Sequence, residues 1–116
     1  MEQIKNKKNL IIAHRGESYD APENTLAAIN LAWQRNADAV EIDIQLSADN
    51  QIVVIHDLNT KRIGNRNKKV KKQTLAELKE LEAGKHKGEK WKDEKIPTLS
   101  EVLETCLLYT SDAADE

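Results

Sequence analysis

The stretch Val40–Asp57, with the sequence VEIDIQLSADNQIVVIHD, predicts two short strands joined by a turn. In its first half apolar and polar residues alternate, which is typical of a strand with one buried face. The apolar residues expected to face the core are Val40, Ile42, Ile44 and Leu46. Glu41 and Asp43 fall on the opposite face, about 7 Å apart along the strand. Two carboxylates on one face are costly to bury without a cation or a shared proton.

The second half of this stretch is a β-branched run that ends in His56-Asp57, and the intervening Asp49-Asn50 indicates a turn. If a hairpin is centred between the two turn residues, positions whose numbers add up to 99 face each other. Asp43 would then lie opposite His56 and share a polar face with it. An edge hairpin with a solvated polar face is the alternative that this stretch alone leaves open.

The bulk composition is that of one small domain. The chain has 116 residues, of which 33% are charged and 3% aromatic, and its net charge is −2. No apolar run is long enough to span a membrane, and the apolar run before His14 is too short for a signal peptide. We therefore predict a cytoplasmic protein without a membrane span. The single cysteine, Cys106, excludes an internal disulfide bond.

Basic residues concentrate between Lys61 and Lys95, where 13 Lys or Arg residues stand against 6 Asp or Glu residues. Such a run can mark a phosphate or nucleic-acid partner. No aromatic platform is interleaved with it, and no nucleic-acid-binding motif accompanies it. We therefore predict a solvated, lysine-coated surface and no nucleic-acid partner.

The N-terminal part of the chain predicts a βαβ unit. Residues 9–13 form a continuous apolar run, the pattern of a strand buried on both faces, and the run ends in His14-Arg15-Gly16. Parallel α/β folds bind ligands at such strand ends. Asn24 or Thr25 can cap the following helix, which leads into a strand over residues 39–46. The residues expected on the core face of this helix are Leu26, Ile29, Ala32 and Trp33.

The second half of the chain predicts two further helices. Leu58–Lys72 has no apolar periodicity and predicts a mobile loop. Thr74 can cap a helix that runs to about Ala83 and stops at Gly84. Thr98 or Ser100 can cap another helix, which begins after Ile96-Pro97.

Four short motifs stand in the order and spacing that one known family has. They are His14-Arg15-Gly16, Pro22-Glu23-Asn24-Thr25, Glu41-Ile42-Asp43 and His56-Asp57. Each motif is weak alone, but together they resemble the glycerophosphodiester phosphodiesterase family over roughly residues 9–105. The resemblance implies an α/β fold, the TIM-type (β/α)8 barrel. It also implies hydrolysis of glycerophosphodiesters to sn-glycerol 3-phosphate and an alcohol.

The resemblance implies acid–base roles for the two histidines of these motifs. His14 would be the general base and His56 the general acid, and imidazoles are the side chains that exchange protons near neutral pH. Arg15 would grip the phosphate with its fork of donors. Family members are thought to let the substrate's own glycerol hydroxyl attack first, through a cyclic phosphate.

The resemblance also implies a substrate and cation site formed by polar and acidic residues. Glu23 would contact the metal or a substrate hydroxyl, with Asn24 in support. Glu41 and Asp43 would bind a divalent cation, and their hard oxygen atoms suit Ca²⁺ or Mg²⁺ rather than zinc. The family's third metal carboxylate lies on the strand after the helix that Thr98 begins, and that strand is missing from this sequence.

The length predicts an incomplete barrel. A (β/α)8 barrel needs about 250 residues, and this chain holds about three or four of the eight strands. We therefore expect residues 1–105 to be the N-terminal portion of a barrel domain. Residues 106–116 resemble an in-frame translation of a sequencing adapter, so we predict a non-native tail; a genuine short tail is the alternative. Since a half barrel leaves strand edges open, we expect the 116-residue chain alone to be inactive.

Three other functions stay open at this point. A phosphatidylinositol-type phospholipase C also pairs two histidines with Glu-x-Asp, although Pro22-Glu23-Asn24-Thr25 favours the first family. A non-catalytic module could hold a phosphodiester or a metal without turnover. A nucleic-acid-binding fragment, based on the basic run, is a distant third.

Overall fold

The computed structural model describes the backbone of residues 9–115 and the side chains of residues 9–108. The strands in this part are β1 (Ile12–His14), β2 (Ala39–Glu41), β3 (Ile44–Leu46) and β4 (Ile52–Val54). The α-helices are α1 (Leu26–Gln34), α2 (Lys61–Gly64), α3 (Leu75–Lys79) and α4 (Leu99–Asp115). Short 3-10 helices span Val70–Lys72, Lys85–Lys87 and Glu89–Trp91.

The predicted βαβ unit is present at the start of the described chain. Strand β1 pairs in parallel with β2, and the register sets His14 beside Glu41. Thr25 caps α1, since its side chain accepts a hydrogen bond from Ala28 N at 3.3 Å. Because the two strands run in the same direction, both end at one edge of the sheet. That edge is where α/β folds place their ligand sites.

The apolar core has two clusters, both built around β4. One joins Ile29 of α1, Val54 of β4 and Val102 of α4. The partly buried residues packed against it are Leu26, Trp33, Val40 and Ile42, as the helical and strand patterns predict. The second cluster consists of Val53, Ile55, Ile63, Val70, Leu78, Leu81, Ala83 and Ile96. Strand β4 therefore holds the two halves of the described chain together.

The hairpin forms, but its predicted register is wrong by one residue. The paired residues are Ile44 with Val54, Gln45 with Val53 and Leu46 with Ile52, so their numbers add up to 98. Asp43 therefore lies beside Ile55, whose N–H donates to the Asp43 carbonyl at 2.9 Å. It does not face His56 across the hairpin.

The loop between the strands explains the shifted register. The loop closes between Ser47 and Gln51: Ser47 N donates to Gln51 O, and Ser47 Oγ accepts from Gln51 N, both at 2.9 Å. The closed loop therefore has five residues, an odd number, whereas the predicted turn, centred between two residues, has an even number. Ile44 and Leu46, which were expected to face the core, are about half exposed, at 54% and 53%. The register does not cause this exposure, since Ile44 pairs with the buried Val54.

Two further strand predictions are wrong in detail. The strand predicted over residues 39–46 is interrupted at Ile42-Asp43, between β2 and β3. The strand over residues 9–13 was predicted to be buried on both faces, but its large apolar residues are exposed, with Leu10 at 51% and Ile11 and Ile12 at 58%. Within the described residues β1 pairs with β2 alone, so its other edge has no strand partner there.

The segment Leu58–Lys72 is folded, contrary to the predicted mobile loop. It contains α2 and the 3-10 helix Val70–Lys72. Its anchors are polar: Gln73 Nε2 donates to Thr60 Oγ1 at 2.9 Å, and both side chains are fully buried. Arg66 Nη1 donates to Gln73 Oε1 at 3.0 Å. Because these anchors are polar, the segment shows no periodic pattern of apolar residues from which its fold could have been predicted.

Helices α3 and α4 begin as predicted, each with a capping box. Thr74 and Glu77 exchange side-chain and backbone hydrogen bonds, and so do Thr98 and Glu101. Helix α3 ends at Lys79, earlier than predicted. Among the described residues, no helix is long and apolar enough to cross a membrane.

Candidate active site

The carboxyl ends of β1 and β2 bring the first predicted site residues together. His14 Nε2 lies 3.9 Å from Glu41 Oε2, and both side chains are about half exposed or more. The chain then turns sharply, with positive φ angles of 54° at Arg15 and 76° at Gly16. A Cβ on Gly16 would lie 2.8 Å from the backbone carbon of Ala28 in α1, so glycine is required for this close approach.

Arg15 lies at the centre of a cluster of four predicted site residues. Its Nη1 donates to Glu23 Oε2 at 3.0 Å, and its Nε lies 3.4 Å from Asp43 Oδ2. Asn24 Nδ2 donates to the same Asp43 oxygen at 3.1 Å. The backbone N–H of Asn24 donates to the Arg15 carbonyl at 2.9 Å. These contacts fix the plane of the Arg15 guanidinium and the position of the Asp43 carboxylate.

His56 reaches the same cluster through Asp57 and Arg62. His56 Nδ1 lies 2.9 Å from Asp57 Oδ1. Arg62, on α2, donates to both oxygens of Asp57, at 2.9 Å from Nε and 3.0 Å from Nη2. It also donates to both oxygens of Glu23, at 2.9 Å from Nη1 and 3.0 Å from Nη2. A continuous series of contacts therefore links the His56-Asp57 turn to Arg15.

Arg62 is the principal site residue that the sequence interpretation missed. It belongs to the basic run that predicted a solvated surface, and that prediction is wrong at Arg62 and Arg66. Arg66 also binds a carboxylate, with Nη2 donating to Glu80 Oε1 at 3.0 Å. The sequence held one signal for these two residues: they are arginines in a basic run that is otherwise lysine. Arginine, unlike lysine, forms bidentate bonds with carboxylates.

Gln45 is a second residue that the sequence interpretation missed. Its Nε2 donates to the carbonyl oxygens of Ile55, His56 and Asp57, at 3.0, 3.1 and 2.8 Å. In the observed register Gln45 pairs with Val53, and its side chain extends past this partner to the carbonyl groups of the turn. Gln45 therefore holds the backbone that carries the histidine.

Arginine contacts keep the Glu23 and Asp57 carboxylates ionised. Burial alone would raise the pKa of the Glu23 carboxyl, but hydrogen bonds and charges from Arg62 and Arg15 outweigh burial and lower it. The hydrogen bonds from Arg62, assisted by His56, hold the pKa of Asp57 well below its usual range. Each carboxylate therefore acts as a fixed acceptor near neutral pH.

The described residues include the kind of ligand atom that a hard divalent cation prefers, but too few such ligands for a complete coordination shell. Glu41 and Asp43 offer carboxylate oxygens, the ligands that Ca²⁺ and Mg²⁺ prefer. In the part of the chain that the structure covers, no group of three or more His, Cys, Asp or Glu side chains could hold a metal ion. Two carboxylates leave most of a six- to eight-ligand shell to other donors.

Residues 14–113 match the model of the glycerophosphoryl diester phosphodiesterase family. A glycerophosphodiester phosphodiesterase of Caldanaerobacter subterraneus is 50% identical over 97 residues, which are 84% of this chain and 40% of the relative. The human glycerophosphodiester phosphodiesterase 1 is 42% identical over 98 residues, 83% of this chain and 30% of that protein.

Solved structures of similar proteins agree with these relatives. An Oleispira antarctica phosphodiesterase, in complex with the product sn-glycerol 3-phosphate, matches with a TM-score of 0.84 and 46% identity, over 87% of this chain and 41% of its own. The glycerophosphodiester phosphodiesterase of Agrobacterium tumefaciens matches with a TM-score of 0.81 and 38% identity, over 84% and 42%.

This chain spans about 40% of the length of these bacterial relatives. Its α/β architecture is that of the N-terminal part of a TIM-type (β/α)8 barrel, incomplete in this chain, as predicted. By its family match and its relatives, the chain belongs to the glycerophosphoryl diester phosphodiesterase family.

Proposed function

We propose that the barrel to which this chain contributes hydrolyses glycerophosphodiesters to sn-glycerol 3-phosphate and an alcohol. One observation carries the proposal: the contacts around Arg15 join the ends of β1, β2 and β4 into a single polar site. His14 precedes Arg15 in the chain and lies beside Glu41, and His56 is linked to Arg15 through Asp57, Arg62 and Glu23. Phosphodiester cleavage needs a base, an acid and positive charge at the phosphate, and these residues can supply all three.

Each residue has a defined chemical task in this proposal. Arg15, held in plane by Glu23 and Asp43, neutralises charge on the phosphoryl oxygens. In the first step His14 accepts the proton of the glycerol hydroxyl that attacks phosphorus, and His56 donates a proton to the leaving alkoxide, which yields the alcohol and a cyclic phosphate. In the second step water attacks the cyclic phosphate, His56 takes its proton and His14 returns one to the released glycerol oxygen, which gives sn-glycerol 3-phosphate. Since Arg62 and Arg15 already occupy both oxygens of Glu23, we assign Glu23 to positioning Arg15 beside the substrate.

The cation and the location are further parts of the proposal. Glu41 and Asp43 would supply two oxygen ligands to Ca²⁺ or Mg²⁺, which would add positive charge beside the phosphate. The remaining ligands would come from outside the described residues. A cytoplasmic location and a small-molecule partner follow from the sequence prediction, and cell fractionation with an antibody tests the location.

We also propose the domain assignment that the sequence predicts. Residues 1–105 would contribute the N-terminal portion of the barrel, and residues 106–116 would be a non-native tail. Helix α4 crosses the boundary between Thr105 and Cys106. Resequencing the source DNA across that boundary tests the assignment.

A chimeric barrel tests the proposed activity. In this chimera, residues 1–105 replace the matching segment of the Caldanaerobacter subterraneus relative. We expect it to release sn-glycerol 3-phosphate from glycerophosphoethanolamine and glycerophosphocholine, whereas the 116-residue chain alone should release none. A coupled assay with glycerol 3-phosphate dehydrogenase measures the release. A folded chimera that cleaves phosphatidylinositol instead would favour the phospholipase C alternative.

Gly16→Ala tests the close approach of the Arg15 turn to α1. The left-handed backbone costs an alanine about 1–2 kcal/mol, and the clash with Ala28 adds about 1–3 kcal/mol. We therefore expect urea unfolding of the chimera to show that the free energy of unfolding falls by about 2–5 kcal/mol, the sum of the two costs. Asn36→Ala is the matched control, because φ is 64° there and only the backbone term applies. Equal losses for the two variants would refute the steric contact.

A further inference from the structure

We propose that Arg62 is a positioning residue for the histidine acid, because it clamps Glu23 and Asp57 together and so fixes the ring orientation of His56. The inference rests on the proposed function for its catalytic consequence. Its structural part, the state of the His56 ring, stands independently of any activity.

The geometry of Arg62 is that of a clamp between two carboxylates. Its donors make four hydrogen bonds of 2.9 or 3.0 Å, two to Glu23 and two to Asp57. Glu23 precedes α1, whereas Asp57 follows β4, so the clamp joins two different elements. The Glu23 side chain is only 12% exposed, which makes an unpaired carboxylate costly there.

The segment that carries Arg62 is firmly anchored. Helix α2 holds the buried Ile63, and it is flanked by the Thr60–Gln73 hydrogen bond. Gly64 packs against Leu81, since a Cβ there would lie 2.8 Å from the leucine side chain. These contacts hold the backbone that carries Arg62 in place.

Asp57 transmits the clamp to the histidine. The ionised carboxylate accepts from His56 Nδ1–H, which leaves Nε2 for the substrate. As the general acid the ring is an imidazolium whose Nε2 proton goes to the leaving alkoxide, and the neutral ring left after this transfer keeps its proton on Nδ1. Gln45 fixes the backbone of this turn, and Arg62 therefore adds the orientation of the carboxylate. A carboxylate that orients a histidine in this way is usually itself hydrogen-bonded.

The test compares Arg62→Gln with Arg62→Lys in the chimeric barrel. We expect Arg62→Gln to lower kcat by about 10–100-fold with little change in KM, the usual range for loss of such a partner. Lysine should restore part of this loss, because its ammonium retains the charge without the bidentate geometry. Asp57→Asn combined with Arg62→Gln should cost little more than either change alone.

Nitrogen-15 NMR of the histidine ring separates positioning from simple stability. In the unmodified chimera, His56 is expected to carry its neutral-state proton on Nδ1, and Arg62→Gln should shift the ring towards the Nε2–H tautomer. Arg66→Gln is the matched control, since Arg66 is in the same segment but binds Gln73, Glu77 and Glu80. It should lower stability and leave both the tautomer and kcat unchanged.

Two results overturn the inference. One is an unchanged His56 tautomer in a folded Arg62→Gln chimera. The other is a loss of kcat that Arg66→Gln reproduces in full at equal stability. If the unmodified chimera is folded but releases no sn-glycerol 3-phosphate, the proposed function fails, and the tautomer measurement still decides the role of Arg62.

Discussion

His14→Ala in the chimeric barrel is expected to lower kcat for glycerophosphoethanolamine by about 10²- to 10⁴-fold, the usual contribution of a general base. The methyl side chain cannot accept the proton of the attacking hydroxyl. His14 is mostly exposed at the end of β1, so the change should leave the free energy of unfolding nearly unchanged. Steady-state kinetics with urea unfolding measures both quantities.

An exposed lysine provides the control for this experiment. Lys92 follows the 3-10 helix Glu89–Trp91, and Lys92→Ala should leave kcat unchanged. The same variants test the alternative of a non-catalytic binding module. If the unmodified chimera binds sn-glycerol 3-phosphate without turnover, and His14→Ala binds it equally well, the binding module is the correct assignment.

Asp43→Asn is expected to have the second large effect, a loss of kcat/KM of at least about 100-fold, the upper range for partners beyond the ligands themselves. The carboxylate binds Arg15 and Asn24 in the structure and would also contact the cation. Removal of divalent cations with EDTA should abolish turnover of the unmodified chimera, and added Ca²⁺ or Mg²⁺ should restore it. In Asp43→Asn the restoring cation concentration should rise.

Asp49→Asn is the matched control for the acidic site. Asp49 Oδ1 accepts from Leu75 N at 3.0 Å, in the hairpin loop rather than among the site residues. We expect it to reduce stability slightly and to leave the cation requirement unchanged. Full activity in EDTA, or an equal shift of the cation requirement in both variants, would contradict a role for Asp43 at the cation.

Local patterns predicted the elements that depend on neighbouring residues in the sequence. The cap at Thr25, the amphipathic face of α1 and the order strand, helix, strand at the start of the described chain follow from short-range periods and capping residues. The hairpin register could not be read in this way, because Ser47 and Gln51 decide it by closing the loop over an odd number of residues. The turn signal Asp49-Asn50 is compatible with a loop of an odd or an even number of residues, so it does not fix the register.

The site was predicted as a set of residues but not as a connected structure. The four motifs named the histidines and carboxylates. The link from the His56-Asp57 turn to the other motifs depends on Arg62, and Gln45 holds the backbone of that turn; both residues lie outside every motif. Residues of a buried polar network do not recur at a regular spacing in the sequence. The hydrogen-bonded pair Thr60 and Gln73 is an example. The exposed apolar residues of β1 and β3 have a different cause, since they belong to a part of a barrel considered without the rest.

The most direct measurement is a crystal structure of the chimeric barrel with sn-glycerol 3-phosphate bound. We expect the phosphate to accept hydrogen bonds from Arg15, with ring nitrogens of His14 and His56 within about 3.2 Å of phosphate or glycerol oxygens. Glu41 and Asp43 should ligate a cation on the same side. A phosphate bound elsewhere, with Arg15 contacting only Glu23 and Asp43, would contradict the single phosphodiester site.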